Sequence, residues 1–202
     1  MQSAIATVCL SGTLEEKVCA AAAAGFDAVE IFEADLIASR LSPADVRELV
    51  AELGLQVAMY QPFRDFEGVG PDALEANLRR ARHKFAVMAE LGTDLLLVCS
   101  SVAPDTSGDP ELAASQLSRL ADEAEAHGMR IAYEALAWGT HVHDYLAAWR
   151  IVEMAGHRAL GTCLDSFHIL SGGSGAIPAA SCRASRDRCP STAIRYGSAC
   201  RK

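Results

Sequence analysis

Basic charge is scarce in this sequence, and so are aromatic rings and long apolar runs. Lys and Arg together number 18 against 26 Asp and Glu, giving a formal charge of −8. Neither nucleic acid nor an anionic membrane gains counterion release from such a surface, so the expected partner is a small molecule, with no nucleic acid and no membrane. Ser11-Gly12-Thr13, after the first apolar segment, offers a single glycine where a dinucleotide fingerprint or P-loop needs several. A nucleotide-binding sheet is therefore disfavoured. The apolar stretch from Ile5 to Leu10 is too short for a signal-peptide core or a membrane span, and Met1-Gln2-Ser3-Ala4 carries no basic residue. A cytoplasmic protein is expected. Zinc-finger spacing is also missing: Cys9, Cys99 and Cys163 stand in apolar runs and Cys19 in an Ala-rich segment, positions suited to small buried hydrophobes.

What is present is a soluble globular composition, 50% hydrophobic and 22% charged over 202 residues. That length predicts one domain, somewhat short of the ~250 residues typical of a closed eight-stranded α/β barrel. The composition breaks after Ser171. Residues 1–171 hold 12 Lys and Arg against 25 Asp and Glu, whereas residues 172–202 hold 6 basic residues and Asp187 as the one acid. The second part begins Gly172-Gly173-Ser174-Gly175, carries Cys182, Cys189 and Cys200, and has neither helical nor strand periodicity. The expectation is a catalytic domain over 1–171 and an irregular, non-homologous tail over 172–202, disordered or read out of frame.

Within 1–171 one unit recurs: an Ala-rich amphipathic helix, a closing glycine, then a short apolar run. The glycines are Gly25, Gly54, Gly92, Gly128 and Gly156. A glycine past a helix end adopts the left-handed conformation that releases the chain toward a strand. Five such junctions and a leading strand predict six strands: 4–10, 28–32, 56–60, 95–99, 130–133 and 161–164. Most are continuous apolar runs, as parallel strands covered by helices require. Thr13 with Glu16, Ser42-Pro43 with Asp45, and Asp109-Pro110 read as helix starts. The fold class is α/β, an incomplete (β/α)8 TIM barrel of about six βα units followed by the irregular tail.

In such a barrel the residues closing the strands converge on one mouth. Those positions carry Glu33, the run Tyr60 to Asp65, Glu134, and Asp165-Ser166-Phe167-His168. Glu134 and Asp165, on adjacent strand ends, suit a hard divalent cation that takes oxygen ligands. An acid past a strand also serves as a plain helix cap, but two such acids with His168 three residues on favour the metal site. His168 is placed to act as a base on a metal-bound substrate, with a histidine held by hydrogen bonds beneath the loop as the alternative, and His141 is a further candidate site residue, with solvent exposure as its alternative. Arg64 suits a bidentate carboxylate clamp, with a surface ion pair as the alternative.

The segment Gly25-Phe26-Asp27-Ala28-Val29-Glu30-Ile31, with Tyr133-Glu134 and Asp165 to His168, resembles the xylose-isomerase-like sugar-phosphate isomerase/epimerase superfamily. Met59 to Gly68, Tyr133 to Gly139 and Cys163 to Leu170 look more specifically like the bacterial 3-dehydroshikimate dehydratases. The resemblance covers essentially all of 1–171 and implies a metal-dependent hydro-lyase converting 3-dehydroshikimate to protocatechuate and water. It implies a divalent cation, Mg2+, Mn2+ or Co2+, held by Glu134 and Asp165. His168 or His141 would be the base, and Arg64 would hold the substrate carboxylate with Tyr60 nearby. The family also uses a Gln and a Glu from two later strands, and residues 172–202 contain neither residue type. A keto-sugar isomerase or epimerase, or a non-catalytic partial barrel, are the competing readings. Unpaired strand edges in a partial barrel would also template a homo-oligomer.

Overall fold

Parallel strands and covering helices alternate along the chain in the computed structural model, which describes residues 2–171 and the strand Ile194–Tyr196. The strands are β1 (Ala4–Ala6), β2 (Ala28–Phe32), β3 (Gln56–Phe63), β4 (Leu95–Cys99), β5 (Arg130–Glu134), β6 (Leu160–Asp165) and β7 (Ile194–Tyr196). They form one sheet in the order β1-β2-β3-β4-β5-β6-β7, every neighbouring pair parallel. The helices are α1 (Leu14–Ala23), α2 (Glu33–Ala38), α3 (Pro43–Glu52), α4 (Pro71–Leu91), α5 (Pro110–Ala126), α6 (Tyr145–Ala155) and α7 (Ser166–Ser171). The first six strands are the expected half-barrel.

The local signals act as the sequence implies. Gly25, Gly54, Gly92, Gly128 and Gly156 all have positive φ, between 59° and 79°. At Gly92 an added Cβ would also lie 2.9 Å from the Arg47 side chain. Thr13 and Glu16 close a reciprocal capping box on α1, and Ser42 and Asp45 close another on α3. Asp109 accepts the Glu111 N–H at the start of α5, 3.0 Å away.

Three departures from the expected elements have local causes. The first strand stops at Ala6 and gives way to a 3-10 turn over Thr7–Cys9. There the buried Thr7 hydroxyl, rather than a ladder carbonyl, accepts the Phe32 N–H at 3.0 Å. β3 runs on to Phe63, with an irregular register against β4 where Pro62 has no N–H to offer. In the tail, Ile194-Arg195-Tyr196 pairs with the outer edge of β6, Cys163 opposite Ile194. Its apolar-polar-apolar alternation suits a strand, and that edge has backbone groups to satisfy. The rest of the expected irregular tail, with Cys182, Cys189 and Cys200, lies outside the described residues.

β4 is buried along its whole length, and alternation sorts the side chains of the central strands into two cores. Leu96, Val98, Ile131, Tyr133 and Leu160 join the large cluster beneath the helices. Met59, Leu95, Leu97, Cys99, Ala132 and Cys163 form a smaller cluster on the opposite, barrel-interior face. That parity fixes which residues reach the mouth. Among the described residues, no helix is long and apolar enough to cross a membrane.

Candidate functional site

β5 ends on Glu134, one residue past Tyr133, so its carboxyl group turns to the interior while the tyrosine turns to the helices. It is 6% exposed. Its register partners are Cys99 on β4 and Cys163 on β6, so the three side chains form one row across three strands. The Cys99 Sγ lies 3.7 Å from Glu134 Oε2 and the Cys163 Sγ 3.5 Å from Oε1. Asp165, two residues beyond Cys163, shares that face, and its Oδ1 accepts the Phe167 N–H at 2.7 Å. α7 starts at once, which carries His168 back over the strand end. The His168 Nε2 lies 3.8 Å from Asp165 Oδ2, and its Nδ1 accepts the Ala137 N–H at 3.3 Å. Glu134, Asp165 and His168 thus each offer a ligand atom within 4.8 Å of the others.

Burial, and then the negative charge of Asp165, push the Glu134 carboxyl up to about 7, while the two thiol hydrogen bonds pull the other way. Glu30, on the same face and hydrogen-bonded by the Gln61 amide, adds to the upward push. Burial likewise raises the Cys99 and Cys163 thiols, with Glu134 as the next cause. His168 is lowered, first by burial; Asp165 opposes this, and the Arg64 charge adds to it. Two carboxyl groups and an imidazole gathered this closely, with burial holding one carboxyl well above the usual range, are a donor set that fits a divalent ion.

The other expected site residues are placed differently. Arg64 is exposed just past β3, and its charge acts on both His168 and Cys99. It makes no hydrogen bond or ion pair to another described residue, so its guanidinium can take a ligand. Tyr60 belongs to the helix-side core, where its hydroxyl donates to Glu33 Oε1 at 3.2 Å and its ring faces the Lys84 ammonium. The structure does not bring it to the cluster. His141 is exposed, with Nε2 2.7 Å from the Thr106 carbonyl, on the rim of a cavity of about 260 Å3 behind the strand wall. It too stands apart from Glu134 and Asp165.

Several residues at or beside the site carried little signal. Cys99 and Cys163 read as buried hydrophobes, and they are buried, yet they also contact Glu134. Aligning the strand ends would have put them opposite it. Trp138 and Phe167 pack edge-on around the His168 ring, at 4.8 and 5.4 Å between centroids. Glu67 is 4% exposed, and its Oε1 accepts the Ser101 N–H at 2.7 Å and the Tyr133 hydroxyl at 2.9 Å. Asp65, with φ 55°, accepts the Val102 N–H at 2.9 Å. Together these two acids staple the loop after β3 to the loop after β4 and so fix the base of Arg64.

A family model described as a xylose isomerase-like TIM barrel matches residues 18–197. A 3-dehydroshikimate dehydratase of Pseudomonas putida is 56% identical over 171 residues, which cover 85% of this chain and 27% of that protein. A solved xylose isomerase-like TIM barrel/4-hydroxyphenylpyruvate dioxygenase fusion protein superposes with a TM-score of 0.83 at 56% identity, over 84% of this chain and 27% of that one. IolI, solved with a bound zinc atom, superposes with a TM-score of 0.76 at 20% identity, over 86% of this chain and 66% of that one. The chain spans about a quarter of the length of the two relatives with which it shares 56% identity.

Proposed function

Because the chain belongs to the xylose-isomerase-like TIM-barrel family, we propose that its interior cluster serves a metal-dependent dehydration of 3-dehydroshikimate to protocatechuate. The observation that carries this reading is the convergence of Glu134, Asp165 and His168 within 4.8 Å at the ends of β5 and β6. The 56% identity to a protein of that activity supports the substrate. Glu134 and Asp165 are the cation's protein ligands in this reading. The cation, when bound, polarises the substrate ketone and acidifies the neighbouring C–H.

The chain's own residues supply binding and proton transfer. Arg64 meets the substrate carboxylate with its paired N–H donors. Trp138 and Phe167 hold the His168 ring edge-on and cover it from water. In this reading His168 takes the C–H proton and returns it to the departing hydroxyl, so the proton lost from carbon leaves in the product water. Tyr60 and His141 act at a distance, Tyr60 by holding Glu33 and Lys84, His141 by holding the loop at Thr106. We read the domain as 1–171 and the protein as cytoplasmic.

The test is direct. Purified chain, supplied in turn with Mg2+, Mn2+ and Co2+, is incubated with 3-dehydroshikimate while the aromatic product's ultraviolet absorbance is followed. Product formation that is lost in Asp165→Asn and Arg64→Ala is the expected result. Absence of product with every cation, while the fold and cation binding are intact, overturns the dehydratase reading for this chain and favours a non-catalytic barrel.

A further inference from the structure

β5 has a sulfur on either side of its last residue. Cys99 closes β4 directly opposite Glu134, Cys163 stands directly opposite it on β6, and each sulfur reaches a different carboxylate oxygen, at 3.7 and 3.5 Å. The sulfurs are 3% and 5% exposed by residue, so water does not compete for the carboxylate from either flank. Backbone donors cannot take their place, because the N–H groups of the row are committed to the strand ladder.

We propose that Cys99 and Cys163 are positioning residues whose thiols hold the Glu134 carboxylate in one orientation from both sides, and thereby set the affinity of the site for its cation. The proposal rests on the reading of Glu134 as a metal ligand. A thiol suits the task through its weakness. It donates one proton to one lone pair of each oxygen, which restricts rotation of the carboxylate yet leaves a second lone pair on each oxygen for a cation. Partners of ligating carboxylates ordinarily matter 10- to 100-fold in metal affinity, which is about the effect expected here. The sulfurs themselves stay outside the ligand set: the atoms within 4.8 Å of one another belong to Glu134, Asp165 and His168.

The experiment uses the full chain, titrated with Mn2+ and with Co2+, as wild type, Cys99→Ala/Cys163→Ala and Cys99→Ser/Cys163→Ser. Infrared spectra of the S–H stretch are recorded without metal, and the bands of Cys99 and Cys163 are isolated as the difference between wild type and the alanine pair, because the chain has seven cysteines. The alanine pair is expected to bind Mn2+ about 10- to 100-fold more weakly, and the serine pair, which keeps a donor on each side, to recover most of that loss. The S–H bands are expected below the free-thiol frequency, and Glu134→Gln should release one of them, because an amide NH2 accepts no hydrogen bond. Unchanged Mn2+ affinity in the alanine pair overturns the proposal, as does an intense thiolate-to-cobalt charge-transfer band, which would make the sulfurs ligands. If the wild type binds no Mn2+, the ligand reading of Glu134 fails by itself. The infrared bands then decide the orienting contact: shifted bands that respond to Glu134→Gln sustain it, and free-thiol bands overturn it.

Discussion

The helix side and the interior side of the sheet hold their acids in different ways. On the helix side each buried lysine meets an acid: Lys17 pairs with Asp35 at 2.7 Å, and Lys84 pairs with Glu33 beneath Tyr60. Glu67, on that side, takes a backbone N–H and a tyrosine hydroxyl, both strong donors. On the interior side Glu134 and Asp165 face each other, and no described Lys or Arg pairs with either. Glu134 receives nothing stronger than two thiols. Pairing offsets much of the cost of burying the helix-side acids, although Asp35 and Glu67 each keep one buried oxygen without a partner and burial raises the Glu67 carboxyl. What sets the interior pair apart is two carboxyl groups facing each other with no described Lys or Arg between them, an arrangement that a divalent cation would complete.

The sharpest way to break this contrast is to remove the interior acid. Glu134→Ala should weaken Mn2+ binding, read by calorimetry, by about a hundredfold or more, since a ligand should outweigh the 10- to 100-fold typical of a ligand's neighbour. Unchanged binding would place the cation elsewhere. Next in size is a pH effect. The folded Glu134 carboxyl sits near 7 against a reference of 4.5, so between those values the folded chain holds a proton that the unfolded chain has released. Stability of the metal-free chain should therefore be full below pH 4.5 and fall toward pH 7, by about 3 kcal/mol at most from this group. Denaturant titrations should show the slope reduced in Glu134→Gln and opposed by added cation.

On the other face, Lys84→Met leaves Glu33 without its ammonium and should cost about 2 to 3 kcal/mol at neutral pH. Thermal unfolding measures it. The cation affinity of this variant should stay at the wild-type value. The smallest effect is expected from Tyr133→Phe, which removes one of two donors to Glu67 and should cost about 1 kcal/mol. It also leaves Mn2+ binding alone, although Tyr133 is the immediate neighbour of Glu134. A loss of cation affinity in that variant would erase the division between the faces.

Much of the half-barrel was legible because its punctuation is local. A helix-closing glycine and a Ser, Thr or Asp cap act within four residues, so their spacing survives translation into structure. Strand interiors were legible for the same reason, down to Ala28–Phe32 and Leu95–Cys99, whose bounds the apolar runs mark. The short helix Glu33–Ala38 gave no such mark, since it follows β2 without a linker or a side-chain cap. For the site, Glu134 and Asp165 could be read from their place at strand ends. Strand position alone did not reveal that Tyr60 turns to the helices. That follows from parity: Met59 lies in the interior cluster, so the next residue faces the other way. The thiols on Glu134 were hidden because a cysteine in an apolar run looks the same whether its neighbour across the sheet is leucine or glutamate.

The cross-strand row also makes the site an internal gauge of assembly. Side chains alternate with a period of two, so a slip of β4 or β6 by one residue against β5 would turn its sulfur to the helices and put Val98 or Leu164 beside the carboxylate. Two S–H vibrations therefore report, independently, on the alignment of two different strand pairs. A misregistered barrel could keep its helices and its circular dichroism and still be recognised by the loss of one band.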